Sequence, residues 1–310
     1  MDRNHRLVVT VAPGQWLCPA VVRGLALSLC GVVSVYAAEV ELPLTAGVVV
    51  SDTLMVLTSP PTTTVQDGTT RQLKDVVTVE VGCAPVVRLG GWRLFSAVTL
   101  GSIEGGRSAD QAYASGNGQS GIYESRSRDV QGQTWQVSAG LGWLAMLGAG
   151  LRVGPTLQGS VRREAITTNS ATEFQPVPRL IPSNLAQQTS DWYVVQPGLR
   201  ADWDLPKGFA LEAEAGLRLV RVRGELDLMY RLDFRHPGVV YRGTGWGWGA
   251  QSGASWTAGI CRAALVAGAD RMDVSGDAQL KSANNTVRDL VLTALDRTAV
   301  SLTLRCGLVF

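Results

Sequence analysis

The sequence predicts an all-β fold, a ten-stranded antiparallel up-and-down transmembrane β-barrel. Three observations predict it. Segments of strictly alternating apolar and polar residues recur along the chain. The polar connections between them alternate between long and short. Beyond residue 37, no run approaches the roughly 18–20 apolar residues that a membrane helix needs. Successive side chains of a strand point to opposite faces, so alternation gives one apolar and one polar face. In a transmembrane barrel the first meets lipid and the second lines the lumen.

Arg3, Arg6 and Arg23 precede an apolar run from Gly24 to Val35, followed by Tyr36, Ala37 and Ala38. A charged region, a short apolar region and a small-residue cleavage site make residues 1–37 a secretory signal peptide. Residues 38–310 then form one barrel domain. Cys30 is a poor lipidation site, because Leu29 stands where a small residue is wanted. A formal net charge of +2 without a basic block gives nucleic acid no electrostatic footing. The remaining Cys83, Cys261 and Cys306 are odd in number and widely spaced, so they suggest neither a disulfide framework nor a metal site. Cys306 lies on an apolar parity and reads as a small hydrophobe.

Taken in order, Trp135 to Trp143 alternates Trp135, Val137, Ala139 and Leu141 with Gln136, Ser138 and Gly140. Tyr193 to Trp203 sets Val195, Leu199 and Trp203 against Gln196, Arg200 and Asp202. Phe209 to Leu219 sets Leu211, Leu217 and Leu219 against Glu212, Glu214 and Arg218, charges that read as ion pairs filling a wet lumen. Trp246, Trp248 and Trp256 stand near segment ends, as interfacial aromatic girdles do. Val300 to Phe310 alternates throughout and resembles the terminal strand of bacterial outer-membrane proteins.

Long polar connections are expected at 59–69, 102–130, 166–189, 227–240 and 274–294, and short ones at 84–90, 144–148, 204–208 and 258–262. Five long and four short connections make ten strands with both termini on the short-turn side. That asymmetry implies the bacterial outer membrane, with extracellular loops and periplasmic termini. A barrel this small has a lumen filled by side chains, which argues against a solute channel.

Function is expected at the loop end. The stretches Thr99-Leu100-Gly101-Ser102, Gly105-Gly106, Asp110-Gln111 and Glu124-Ser125-Arg126 with Asp129 resemble the omptins, outer-membrane endopeptidases built on a ten-stranded barrel. The resemblance implies a water held between an acid pair on one rim and an Asp-His pair on the other. Carboxylate and imidazole would share its deprotonation, with the second Asp holding the imidazole's tautomer. On the first rim Asp110 matches, while Ala112 replaces the family's second acid. On the second rim, aligning on acids puts Glu225 and Asp227 at family positions but Met229 where His is expected. Aligning on Pro237-Gly238 and Tyr241-Arg242 brings Asp233 and His236 to the pair, one residue too far apart; a bulge or a loop conformation would correct the facing. The candidate catalytic set is Asp110, Asp233, His236 and Asp227, with Glu225 as a substrate-binding acid.

The resemblance also implies lipopolysaccharide, bound through basic residues of the outer wall, as partner and candidate requirement for activity. Arg162 and Arg163 are candidates for that wall. No metal, no covalent intermediate and no other cofactor are expected, and the chain is expected to be a monomer acting on extracellular peptides or proteins. The alternative keeps the barrel without the chemistry: a degenerate omptin-like protein acting in adhesion or lipopolysaccharide binding.

Overall fold

The structure, a computed structural model, describes residues 38–60, 66–115, 123–175, 179–181, 186–227, 234–282 and 286–310. Residues 1–37, expected to be the signal peptide, lie outside it.

Among the described residues thirteen strands follow one another: β1 (Ala38–Thr58), β2 (Gln66–Cys83), β3 (Val86–Leu89), β4 (Trp92–Ser115), β5 (Tyr123–Trp143), β6 (Ala145–Gly148), β7 (Leu151–Gln175), β8 (Arg179–Ile181), β9 (Ala186–Asp204), β10 (Phe209–Asp227), β11 (Phe234–Ala258), β12 (Cys261–Ser282) and β13 (Val287–Val309). Ten of them form a ring of antiparallel neighbours in chain order, closed by β13 on β1 from Val309–Glu41 to Val291–Thr58. The short β3 and β6 continue β2 and β5 across single breaks. Pro85 causes the first break, since it has no N–H to donate. The short turns use left-handed residues where the chain reverses, among them Gly90 (φ 59°), Gly150 (φ 80°) and Gly259 (φ 59°).

The expected long loop 102–130 is mostly paired ladder: Ser102 to Ile103 and Ser108 to Ala112 of β4 pair with β5, and 116–122 lies outside the described residues. The ring strands run to 18–25 residues, whereas a tilted barrel strand needs roughly 9–11 to cross a bilayer. The excess length extends the wall beyond any membrane-level band.

Two zones result. In the half nearest the short turns, the outer wall is apolar: Leu44, Val81, Leu94, Leu141, Leu199, Leu211, Leu265 and Leu304 are exposed. Trp92, Trp143, Trp203, Phe209 and Trp256 edge that band at one end, with Tyr193 and Trp246 at the other. Inside it, Arg200 pairs with Glu212 and with Glu214 (3.1 Å), and Arg218 with Asp270 (2.8 Å), the ion pairing expected of this parity. Arg297 bridges Asp270 and Glu164, each at 3.2 Å. In the half nearest the long connections the pattern reverses. Outward positions are mostly polar, while inward positions hold Met55, Leu57, Trp192, Val220, Val222, Leu226, Leu292 and Leu295, all buried in one cluster. A second cluster of Leu73, Val76, Ile103, Val130 and Ile166 lies at the same end.

Candidate functional site

Asp110 lies in the upper zone on the inward parity of β4, between Ser108 and the end of the strand, and is only 3% exposed. Both its carboxylate oxygens accept from Arg71 Nη1, at 2.8 and 2.9 Å. The other nitrogens of Arg71 donate onward, Nε to Gln188 Oε1 (2.9 Å) and Nη2 to Thr168 Oγ1 (2.8 Å). Gln188 Nε2 donates to Tyr241 Oη at 3.2 Å, and Tyr241 Oη and Ser190 Oγ are 2.6 Å apart. The result is a sealed polar knot inside the apolar core, with every Arg71 nitrogen engaged.

Burial pushes the Asp110 carboxyl above the ordinary carboxylate range, opposed by the Arg71 guanidinium. Burial likewise pushes the Tyr241 phenol up to about 12. Neither group meets bulk water, and the carboxylate serves as the acceptor for a buried cation.

The other candidates are not brought to Asp110. On β10, Leu226 and Val222 point inward, so Glu225 and Asp227 belong to the outward parity; Glu225 is exposed and Asp227 half-buried. Glu225 therefore stands on the outer wall, away from a position where it could line the mouth. The backbone of His236 belongs to β11, but its side chain, and all of Asp233, lie outside the described residues. The β11–β12 register shifts between Phe234 and Val239, an irregularity that spans His236. Among the described residues, no group of three His, Cys, Asp or Glu is placed to hold a metal ion.

Sequence reasoning missed Arg71. Its one signal is parity: Arg71 shares its face with Leu73 two residues on, which places a cation beside a buried leucine.

On the outer wall, immediately above the apolar band, cross-strand pairing sets Arg163, Asp191, Arg223, Arg242 and Asp277 side by side across β7, β9, β10, β11 and β12. Arg163 pairs with Asp191 (3.7 Å) and Arg242 with Asp277 (3.5 Å). Arg223 and Arg242 are direct register partners, two cations face to face, with the exposed Arg221 one step nearer the band. They border a cleft of about 860 Å³. Arg162, the second basic residue expected here, faces the lumen instead and pairs with Glu80 (3.0 Å) and Glu164 (2.8 Å).

The chain matches the outer-membrane protease OmpT from Escherichia coli over 89% of its own length and 99% of that chain, with a TM-score of 0.66 and 12% identity. The fold is that of an outer-membrane β-barrel. A major outer membrane protein from Thermus thermophilus (TM-score 0.35, 11% identity, 89% of this chain and 100% of that one) and OprG from Pseudomonas aeruginosa (TM-score 0.33, 10% identity, 88% and 96%) match more loosely. No family model matches, and no curated protein matches.

Proposed function

We propose that this protein is an outer-membrane barrel whose work lies on its outer wall, where it binds the phosphate-bearing headgroup of lipopolysaccharide without catalysing peptide hydrolysis. The arginine pair Arg223 and Arg242 carries this reading. Like charges directly opposite on neighbouring strands repel, and an anion between them removes that cost. The pair stands where the apolar band ends at Trp246, the level at which a lipid's charged headgroup would meet the wall.

The endopeptidase reading keeps Asp110 as the water-activating acid, with Asp233 and His236, or Asp227, across from it. Its support is the run around Asp110-Gln111, together with an overall fold close to that of a protease. It requires an acid in contact with substrate and water, whereas Asp110 is buried with both oxygens engaged by Arg71.

One pair of assays decides between the two. Refolded protein is mixed with lipopolysaccharide, and separately with a mixed peptide library in lipopolysaccharide-containing micelles. Saturable lipopolysaccharide binding, weakened about tenfold or more in the Arg223→Gln/Arg242→Gln variant, is the expected result. Peptide cleavage that disappears in both Asp110→Asn and His236→Ala would overturn the reading in favour of the protease.

A further inference from the structure

The membrane-level lumen contains a compartment separate from the mouth and from the outer wall. A cavity of about 250 Å³ is bounded by inward side chains of the lower strands, including Gln136, Gln158 and Gln196. A smaller cavity of about 90 Å³ shares these three glutamines with it and ends against Trp192 and Met272, members of the upper apolar core. At the other end the larger cavity reaches Pro43, Ala84, Gly307 and Val309, the strand ends beside the short turns. The compartment is thus blind above and reaches the short-turn end below. It has room for about eight waters, taking ~30 Å³ each.

Its charge is unevenly used. Each acid in the lining already has a cation: Glu41 pairs with Arg88 (2.6 Å) and Arg262, Glu212 with Arg200 and Arg305, Glu214 with Arg200, and Asp270 with Arg218 and Arg297. Arg93 lines the same cavity and is 6% exposed. Its Nε and Nη1 donate to nothing among the described residues. The nearest carboxylate, Asp202, stands off at 4.0 Å, and the guanidinium lies over the Phe95 ring, 5.5 Å from its centre. A ring face satisfies a guanidinium's charge in part but leaves its in-plane N–H donors free. Orphaned charged donors this deeply buried are costly unless an acceptor reaches them.

We propose that this compartment is a binding site for a small oxyanion of the phosphate or sulfate class, entering from the short-turn end and meeting Arg93. A buried guanidinium N–H with no partner donates a strong, charge-assisted hydrogen bond to an oxygen of a tetrahedral oxyanion. The surrounding glutamine amides and Ser138 and Ser301 can donate to the remaining oxygens. The acids of the lining are held back by their own arginines, and Asp202 beside Arg93 stands closer to Arg200 (2.8 Å), which leaves Arg93 to set the sign of the site.

The test uses inorganic phosphate titrated into the refolded barrel in detergent micelles, followed by calorimetry and phosphorus NMR. The protein carries Arg223→Gln and Arg242→Gln throughout, so the outer wall contributes no phosphate site and the two proposals fail separately. One saturable site is expected, weakened about tenfold or more by Arg93→Gln. It is expected to weaken also in Ala97→Leu, which narrows the compartment without removing a charge. No saturable binding, or binding unchanged in Arg93→Gln, would overturn the proposal and leave a lumen filled by water alone. Should Arg93→Gln fail to fold, Ala97→Leu decides: unchanged affinity there overturns it equally.

Discussion

The two halves of this barrel solve opposite solvent problems with the same strands. Near the short turns, leucines and tryptophans face outward while arginines and acids fill the interior. Near the long connections, arginines face outward while Trp192, Leu292 and Val222 fill the interior. The lower half is built for a hydrocarbon surround, where backbone pairing must be complete and the lumen may be polar. The upper half is built like a water-soluble barrel with a dry core. The change of sign occurs within single strands: β10 passes from Leu217 and Leu219 to Arg221 and Arg223 on its outer face. What this teaches about function is that the described inner face of the upper half is a packed core with one buried polar knot, and the exposed charges of the described residues there lie on the outer wall.

The largest effect expected from breaking this arrangement is at the polar knot. Arg71→Ala strands a buried carboxylate and should cost about 3–5 kcal/mol in urea unfolding of the refolded barrel. Replacing both partners, Arg71→Met with Asp110→Leu, should recover most of that loss, because the cost lies in the uncompensated charge. The appearance of peptide cleavage in Arg71→Ala would instead mean that the knot masks a working acid. Next comes the upper core itself. Leu292 is fully buried, and Leu292→Ala should cost about 2–5 kcal/mol by the same unfolding assay. A loss below that range would show that the upper interior is loosely filled. The smallest effect belongs to the outer wall. Arg223→Gln with Arg242→Gln removes a face-to-face repulsion and an exposed pair with Asp277, so stability without lipid should rise by about 0.2–1 kcal/mol or stay level. A clear destabilisation would mean these arginines hold the wall together.

Much of this was legible in the sequence. Alternation in Phe209 to Leu219 and Val300 to Phe310 gave both facing and zone, because lipid outside and charge inside produce a strong period of two. The upper half was harder to read. From Ser102 to Val130 the outward positions include Ser102, Glu104, Gln111, Arg126 and Arg128, and the inward ones mix Ile103 and Val130 with Ser108, Asp110, Ser125 and Ser127. Polar residues on both faces hide a strand, so paired ladder read as loop. The acid Asp110 stood out by motif, but its role turned on Arg71, 39 positions earlier, brought opposite by β2–β4 pairing that no local pattern shows. Glu225 lies on the outward parity of β10, one step from the inward Leu226, because one step along a strand reverses facing.

The most direct test of the two-zone account is an arginine placed at two outward positions of one strand. Leu265 lies in the apolar band of β12 and Ser275 ten positions above it, in the polar zone. In barrels refolded into lipid vesicles, Leu265→Arg should cost about 2–4 kcal/mol of unfolding free energy, and Ser275→Arg about 0–1. Equal costs at the two sites would contradict the account, because the outer wall would then meet one solvent along its whole height.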